Sequence, residues 1–140
     1  VLIVRVHDLV PPDRWKKRYG HIVDFERLLV DEGTTVVKFY LHISKAEQKR
    51  RLQARLDDPT KNWKFAKGDL EERKFWDDYQ LAFTEMLERT STESAPWFVV
   101  PADNKWYRDL VVSEIMVQTL RSLDMEFPPA ADDLDSIVID

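Results

Sequence analysis

The residues best suited to chemistry lie between Lys45 and Lys74, where ten basic side chains stand against six acidic ones. The whole chain of 140 residues carries a net charge of −5, so four surplus positive charges are concentrated in one short segment. Positive residues gathered in one cleft raise the local concentration of an anionic ligand. Arg51 and Arg55 are four apart, and on a helix they share a face. Lys61, Lys64 and Lys67 recur every three residues between Pro59 and Gly68, with Trp63 and Phe65 interleaved. Such a loop suits phosphate; a solvated helix face laced with ion pairs is the plain alternative, and composition alone leaves both open.

Other candidates carry less. Asp57-Asp58 could bind Mg²⁺, but an Asp before Pro59 is more often a helix stop signal. His7, His21 and His42 show no metal-ligand spacing, and His42 at a strand end reads as a packing or hydrogen-bonded group. The tryptophans read mainly as core, with Trp106 a candidate pocket wall. No nucleophile-elbow, P-loop or dinucleotide-binding glycine pattern is present. Three glycines in total cannot build a phosphate cradle. The absence of cysteine excludes disulfides, thiolate metal sites and a cysteine nucleophile, and it fits a reducing compartment.

Apolar residues at 44% and charged residues at 34% describe a globular domain rather than a disordered chain. An acidic chain of this kind is not, as a whole, a nucleic-acid coat. No apolar run approaches the ~20 residues that span a bilayer, and the opening Val1-Leu2-Ile3-Val4-Arg5-Val6-His7 is not a signal peptide.

These side chains must be positioned by elements that the periodicity predicts. Val1 to His7 reads as a buried strand. Asp13 is placed to cap a helix with apolar residues at Tyr19, Ile22, Val23, Phe25, Leu28 and Leu29, closed by Gly33. Thr35 to Ile43 reads as a second strand. Ser44-Lys45-Ala46-Glu47 is a capping box, so a helix starts there and stops at Asp58-Pro59. Asp69 opens a further helical stretch carrying Phe75, Trp76, Tyr79, Ala82, Phe83, Met86 and Leu87. Trp97 to Val100 is a third strand, and Asp103 or Asn104 caps a last helix. Strands separated by helices imply a parallel sheet in an α/β, three-layer architecture. Ligands in such sheets sit beyond the carboxyl ends of the strands, here near His7, His42-Ser44 and Pro101-Asn104. Opening directly on a strand suggests that part of a larger domain lies upstream. Residues 128–140 read as an acidic, loosely ordered tail.

Longer strings point further. Val36 to Gln48, Arg51-Leu52 through Arg55, Asp58-Pro59-Thr60-Lys61-Asn62-Trp63-Lys64, Trp76-Asp77-Asp78-Tyr79, Met86 to Thr92, and Ala95-Pro96-Trp97 leading to Val100-Pro101-Ala102-Asp103-Asn104-Lys105 resemble the polyphosphate kinase 2 family. The resemblance covers nearly all of the chain except the acidic tail. It implies a cytoplasmic enzyme with a P-loop-kinase-like fold that moves a phosphoryl group between inorganic polyphosphate and a nucleoside mono- or diphosphate, with Mg²⁺. The family's Walker residues would lie upstream. Residues 1–127 then correspond to the C-terminal part of the domain, with a lid at about 44–74. Catalytic residues and Mg²⁺ ligands are expected outside this chain, which is expected to be inactive alone. By similarity, Arg51 or Arg55 would contact phosphate or stack on a base, and Lys61, Lys64 and Lys67 would meet the phosphates. Asp103, Asn104 and Lys105 would border the base. The expected partners are polyphosphate and nucleotide, with a homo-oligomer, no membrane and no nucleic acid. A non-catalytic module binding nucleic acid or another polyanion, and a different nucleotide kinase of the same fold, are the competing readings.

Overall fold

The computed structural model describes residues 1–130. Two strands pair in parallel, β1 (Lys38–His42) and β2 (Trp97–Pro101), in a register that sets Lys38 opposite Trp97 and His42 opposite Pro101. β1 lies inside the expected Thr35–Ile43 run, and β2 follows the expected Trp97–Val100 run with one residue more, Pro101. The main-chain N–H of Ala102 donates to His42 O at 2.7 Å, which extends the pairing one step past the carboxyl ends.

Among the described residues, seven α-helices flank the pair. They are α1 (Leu2–Val6), α2 (Pro12–Trp15), α3 (Lys17–Asp31), α4 (Lys45–Asp57), α5 (Gly68–Glu72), α6 (Trp76–Thr90) and α7 (Lys105–Ser122), with single 3₁₀ turns at Asn62–Lys64 and Arg73–Phe75. Helix α6 covers one face of the sheet. Tyr40 of β1 lies over Phe83, ring centres 4.9 Å apart. Trp97 Nε1 donates to Thr90 Oγ1 at 2.9 Å. Lys38, itself buried, donates to Thr90 O at 2.5 Å and to Glu26 Oε2 of α3 at 2.7 Å. Phe39 and Phe98 meet on the other face. Val100, Ala82, Ala95 and Ala102 are the most deeply buried apolar residues, so the core sits where β2 meets its flanking helices.

The expected first strand is a helix. Residues 2–6 form α1, which docks on α6 and α2: Arg5 Nη1 bonds Glu85 Oε2 at 2.5 Å, and its guanidinium lies 5.2 Å from the Trp15 ring centre. The β-branched residues favour a strand only when they lie on a pleated, half-buried surface. The docked Arg5 selects the helical alternative. The next helix also begins differently. Its N-cap is Pro11 rather than Asp13, and Pro12 takes the first helical position, where a missing N–H costs nothing.

Other local expectations hold in detail. Gly33 has φ of +84°, and its N–H and that of Thr34 bond Val30 O and Leu29 O, both at 2.9 Å, closing α3 in a Schellman motif. Ser44 Oγ accepts from the Glu47 N–H at 3.0 Å and starts α4. Of the acidic tail, residues 131–140 lie outside the described residues. No helix among the described residues is long and apolar enough to cross a membrane.

Candidate anion-binding site

Helix α4 is a polar helix in which one carboxylate holds two of the three arginines. Glu47 stands at the position from which a capping-box glutamate ordinarily reaches back to the N-cap N–H. Here that N–H, of Ser44, is taken by Asp103 Oδ1 at 2.7 Å. Glu47 instead accepts from Arg50 Nε and Nη2, each at 2.6 Å, and from Arg51 Nε at 2.7 Å. These two guanidinium groups hold its carboxyl down at about 2. Arg51 Nη2 continues to Ala102 O at 2.6 Å and Asp103 O at 3.3 Å. A chain of charge-assisted bonds therefore runs from α4 to the turn after β2.

Beside this brace lies a cavity of about 310 Å³ lined by Arg50, Arg51, Ala54, Arg55, Lys61, Lys64 and Lys105. Six of its seven wall residues are cations and none is an acid. The small Ala54 side chain leaves room between Arg50 and Arg55. Arg51, Arg55, Lys61, Lys64 and Lys105 were all marked by the sequence, and the fold brings them together. Lys67 lies apart, at the start of α5 and outside this wall. The Asp103 carboxylate braces Ser44, and Asn104 occupies the N-cap of α7 without a side-chain cap bond. Arg50 was not marked; its signal is the Lys49-Arg50-Arg51 run above Ala54, which places two adjacent arginines on neighbouring flanks of one helix.

The loop that closes the cavity is tied at several points. Asn62 Nδ2 donates to Arg55 O and Leu56 O at 2.8 and 2.9 Å, satisfying two terminal carbonyls of α4. Asp58 Oδ1 accepts from Thr60 N and Oγ1, and Lys61 pairs with its other oxygen. The Lys61 and Thr60 bonds hold the Asp58 carboxyl at about 2. Arg55 faces Asp69 at 3.5 Å. Lys64 Nζ lies 5.0 Å from the centre of the Trp63 ring, whose indole donates to Thr60 O at 3.1 Å. Trp63 is nevertheless 78% exposed. Lys64 and Lys105 have no carboxylate partner among the described residues.

Asp58 is thus a turn cap, and Asp57 accepts from Gln53 Nε2 at 2.8 Å. Among the described residues no group of three or more His, Asp or Glu side chains could hold a metal ion.

A second cavity of about 370 Å³ lies on the α6 side of β1, walled by Tyr40, Trp76, Tyr79 and Phe83 with Gln48 and Glu72 at its polar edge. Tyr79 donates to Glu72 at 2.7 Å, and His7 Nε2 lies 3.0 Å from the same carboxylate. Burial and Glu72 push the Tyr79 phenol up to about 12. Trp106 is largely exposed and lines neither cavity.

The family model for Polyphosphate kinase 2 matches residues 1–128. An AMP/ADP-polyphosphate phosphotransferase of Meiothermus ruber is 56% identical over 140 residues, covering 100% of this chain and 52% of that protein. An ADP-polyphosphate phosphotransferase of Rhodopseudomonas palustris is 47% identical, covering 91% and 48%. The crystal structure of Polyphosphate Kinase 2 from Arthrobacter aurescens superposes with a TM-score of 0.94 at 49% identity, covering 97% of this chain and 48% of that one. The α/β architecture read from the sequence is that of this neighbour. The chain spans about half the length of the curated relatives it matches.

Proposed function

This chain belongs to the polyphosphate kinase 2 family, and we propose that it forms the phosphate-gripping C-terminal half of a polyphosphate:nucleotide phosphotransferase. One observation carries the reading: six cations enclose a single cavity with no acid in its wall, next to the turn that follows β2. Phosphoryl transfer asks little covalent chemistry of the protein. It needs in-line positioning and neutralisation of charge spread over the phosphate oxygens. Arg51 and Arg55 offer planar forks that match two phosphate oxygens at once. Lys61, Lys64 and Lys105 add point charges around the chain of phosphates.

The segment at about 44–74 acts as a lid within a domain at 1–127. Closure over the phosphates excludes water, so that transfer outruns hydrolysis. Lys67, outside the cavity wall, approaches the phosphates only if the lid moves. The base of the nucleoside mono- or diphosphate borders the turn 102–105. Mg²⁺ accompanies the nucleotide phosphates, with protein ligands from outside this chain. Walker residues come from the other half, so the 140-residue chain binds polyphosphate without transferring phosphate. The same reading includes a cytoplasmic enzyme that self-associates and ignores nucleic acid. The net charge of −5 supports the last point, and the exposed Trp106, Leu110 and Leu120 of α7 support self-association.

Steady-state kinetics of the full-length enzyme test the reading. A charge-assisted contact to phosphate is worth roughly 1.5–3 kcal/mol, so Arg55→Ala or Lys64→Ala lowers kcat/KM by about ten- to a hundredfold. Lys16→Ala and Lys17→Ala, at the N-cap and first residue of α3, leave it within about twofold. Wild-type kcat/KM in folded lid variants overturns the proposal in favour of a solvated surface. Tighter binding of single-stranded nucleic acid than of polyphosphate favours the non-catalytic module.

A further inference from the structure

We propose that Glu47 is a positioning residue for phosphoryl transfer, fixing Arg51 between α4 and the turn after β2 so that its free edge meets the phosphate chain in one orientation. This rests on the reading of the cavity given above and adds a residue that touches no substrate.

Three observations lead to it. First, a carboxylate beside a cavity for a polyanion is electrostatically adverse, since it opposes the field that draws the ligand in. Glu47 is nonetheless among the few buried charged residues of the chain, 8% exposed. A charge that works against binding needs another reason to be there. Second, its local role is already filled. Ser44 N is satisfied by Asp103 Oδ1, so Glu47 is not needed to complete the N-terminus of α4. Third, its bonds are directional. It takes Nε of Arg51, while Ala102 O and Asp103 O take Nη2. A guanidinium held at Nε and at Nη2 cannot rotate about its long axis. Its remaining Nη1 has no protein partner among the described residues, and the side chain lines the cavity. Arg50 is held side-on by the Glu47 carboxylate alone, through Nε and Nη2, and its Nη1 has no protein partner among the described residues.

The alternative is that the cavity works by summed charge alone, and the two accounts differ in sign. Glu47→Gln raises the net charge at the site by one. Summed charge therefore predicts unchanged or improved catalysis. Positioning predicts the reverse for the chemical step, because the neutral amide removes the charge assistance from the Arg51 Nε bond and sets an NH2 donor against Arg50 Nε, which loosens the grip on both forks. In the full-length enzyme, with polyphosphate as donor, Glu47→Gln lowers kcat about tenfold or more while the KM for polyphosphate stays level or falls. Arg51→Lys keeps the charge but cannot bridge Glu47 and Ala102 at once, and it lowers kcat by a similar factor. The double variant then falls no further than either single one, since both remove the same restraint.

Circular dichroism checks that each variant is folded. A kcat retained by folded Glu47→Gln overturns the proposal, as does a double variant whose loss equals the product of the two single losses. If Glu47→Gln does not fold, Arg51→Lys decides: a retained kcat overturns the proposal, and a tenfold loss at constant KM sustains it. Arg55→Ala, measured alongside, separates this from the parent reading. Wild-type kcat/KM in Arg55→Ala rejects the cavity as the phosphate site, whereas a retained kcat in Glu47→Gln alone rejects only the positioning role.

Discussion

The main-chain N–H of Ser44 and the carboxylate of Asp103, 59 residues apart, are joined by a hydrogen bond of 2.7 Å. This bond fastens the start of α4 to the start of α7, just beyond the carboxyl ends of β1 and β2. Parallel strands place these two turns side by side, and the bond fixes how far apart the arginines of α4 and Lys105 stand. Asp103→Ala is expected to lower unfolding free energy by about 1 kcal/mol, the typical worth of one such bond. Asp103→Asn keeps an acceptor oxygen and loses less than half of that. Urea unfolding of both variants checks the order, and equal losses would remove the hydrogen bond as the cause.

Acid acts on α4 through two carboxyls. Glu47 and Asp58 are both held near 2 in the fold, against ordinary values of 4.5 and 3.8. A carboxyl whose folded value is depressed contributes stability above its ordinary value, and that contribution is lost as pH falls through the folded one. Stability attributable to the ends of α4 therefore declines from about pH 4.5 toward pH 2. Unfolding midpoints taken across this range are shallower in slope for Glu47→Gln than for the wild-type protein. An identical slope in both would assign the acid sensitivity elsewhere.

Two glycines, Gly20 inside α3 and Gly33 just past its end, separate backbone strain from space. A Cβ at either Gly20 or Gly33 meets nothing within 4 Å, but Gly33 sits at φ +84°. A side chain in the left-handed region costs roughly 1–2 kcal/mol, whereas alanine inside a helix gains roughly 0.5–1 kcal/mol over glycine. Gly33→Ala thus destabilises and Gly20→Ala stabilises. Chemical denaturation of the pair reads the signs directly; a shared sign contradicts the Schellman closure.

Trp63 offers an optical report on the loop. It is exposed and rigidly held, with its indole bonded to Thr60 O and Lys64 at its ring face. Drawing Lys64 toward an anion alters that cation–π contact. Tripolyphosphate is expected to change tryptophan emission in the wild-type protein and to leave Trp63→Phe nearly unchanged. A comparable change in Trp63→Phe would locate the anion away from this loop.

Where function was legible in the sequence, the signal was local. Ser44 and Glu47 mark the start of α4 by their spacing, Gly33 marks the end of α3, and the two paired strands are visible as apolar runs. Arg51, Arg55, Lys61 and Lys64 are near enough in sequence that one helix and one tied loop gather them. The features missed depend on distant partners. Nothing in residues 1–7 announces that Arg5 will meet Glu85, 80 positions away, and make a helix of a strand-like run. The bond of Asp103 to Ser44, 59 positions away, is likewise not written in its neighbours. Lys67 fits the loop's three-residue spacing, but the start of α5 carries it out of the cavity.

The most direct test of the account is the footprint of polyphosphate on the lysines. The protein is acetylated at low reagent with and without long-chain polyphosphate, and protection at each lysine is measured by mass spectrometry. The cavity predicts protection at Lys61, Lys64 and Lys105, which line it, with Lys16, Lys17 and Lys49 unprotected. Protection spread evenly over all lysines, or centred on Lys16 and Lys17, would contradict the assignment of the cavity as the phosphate site.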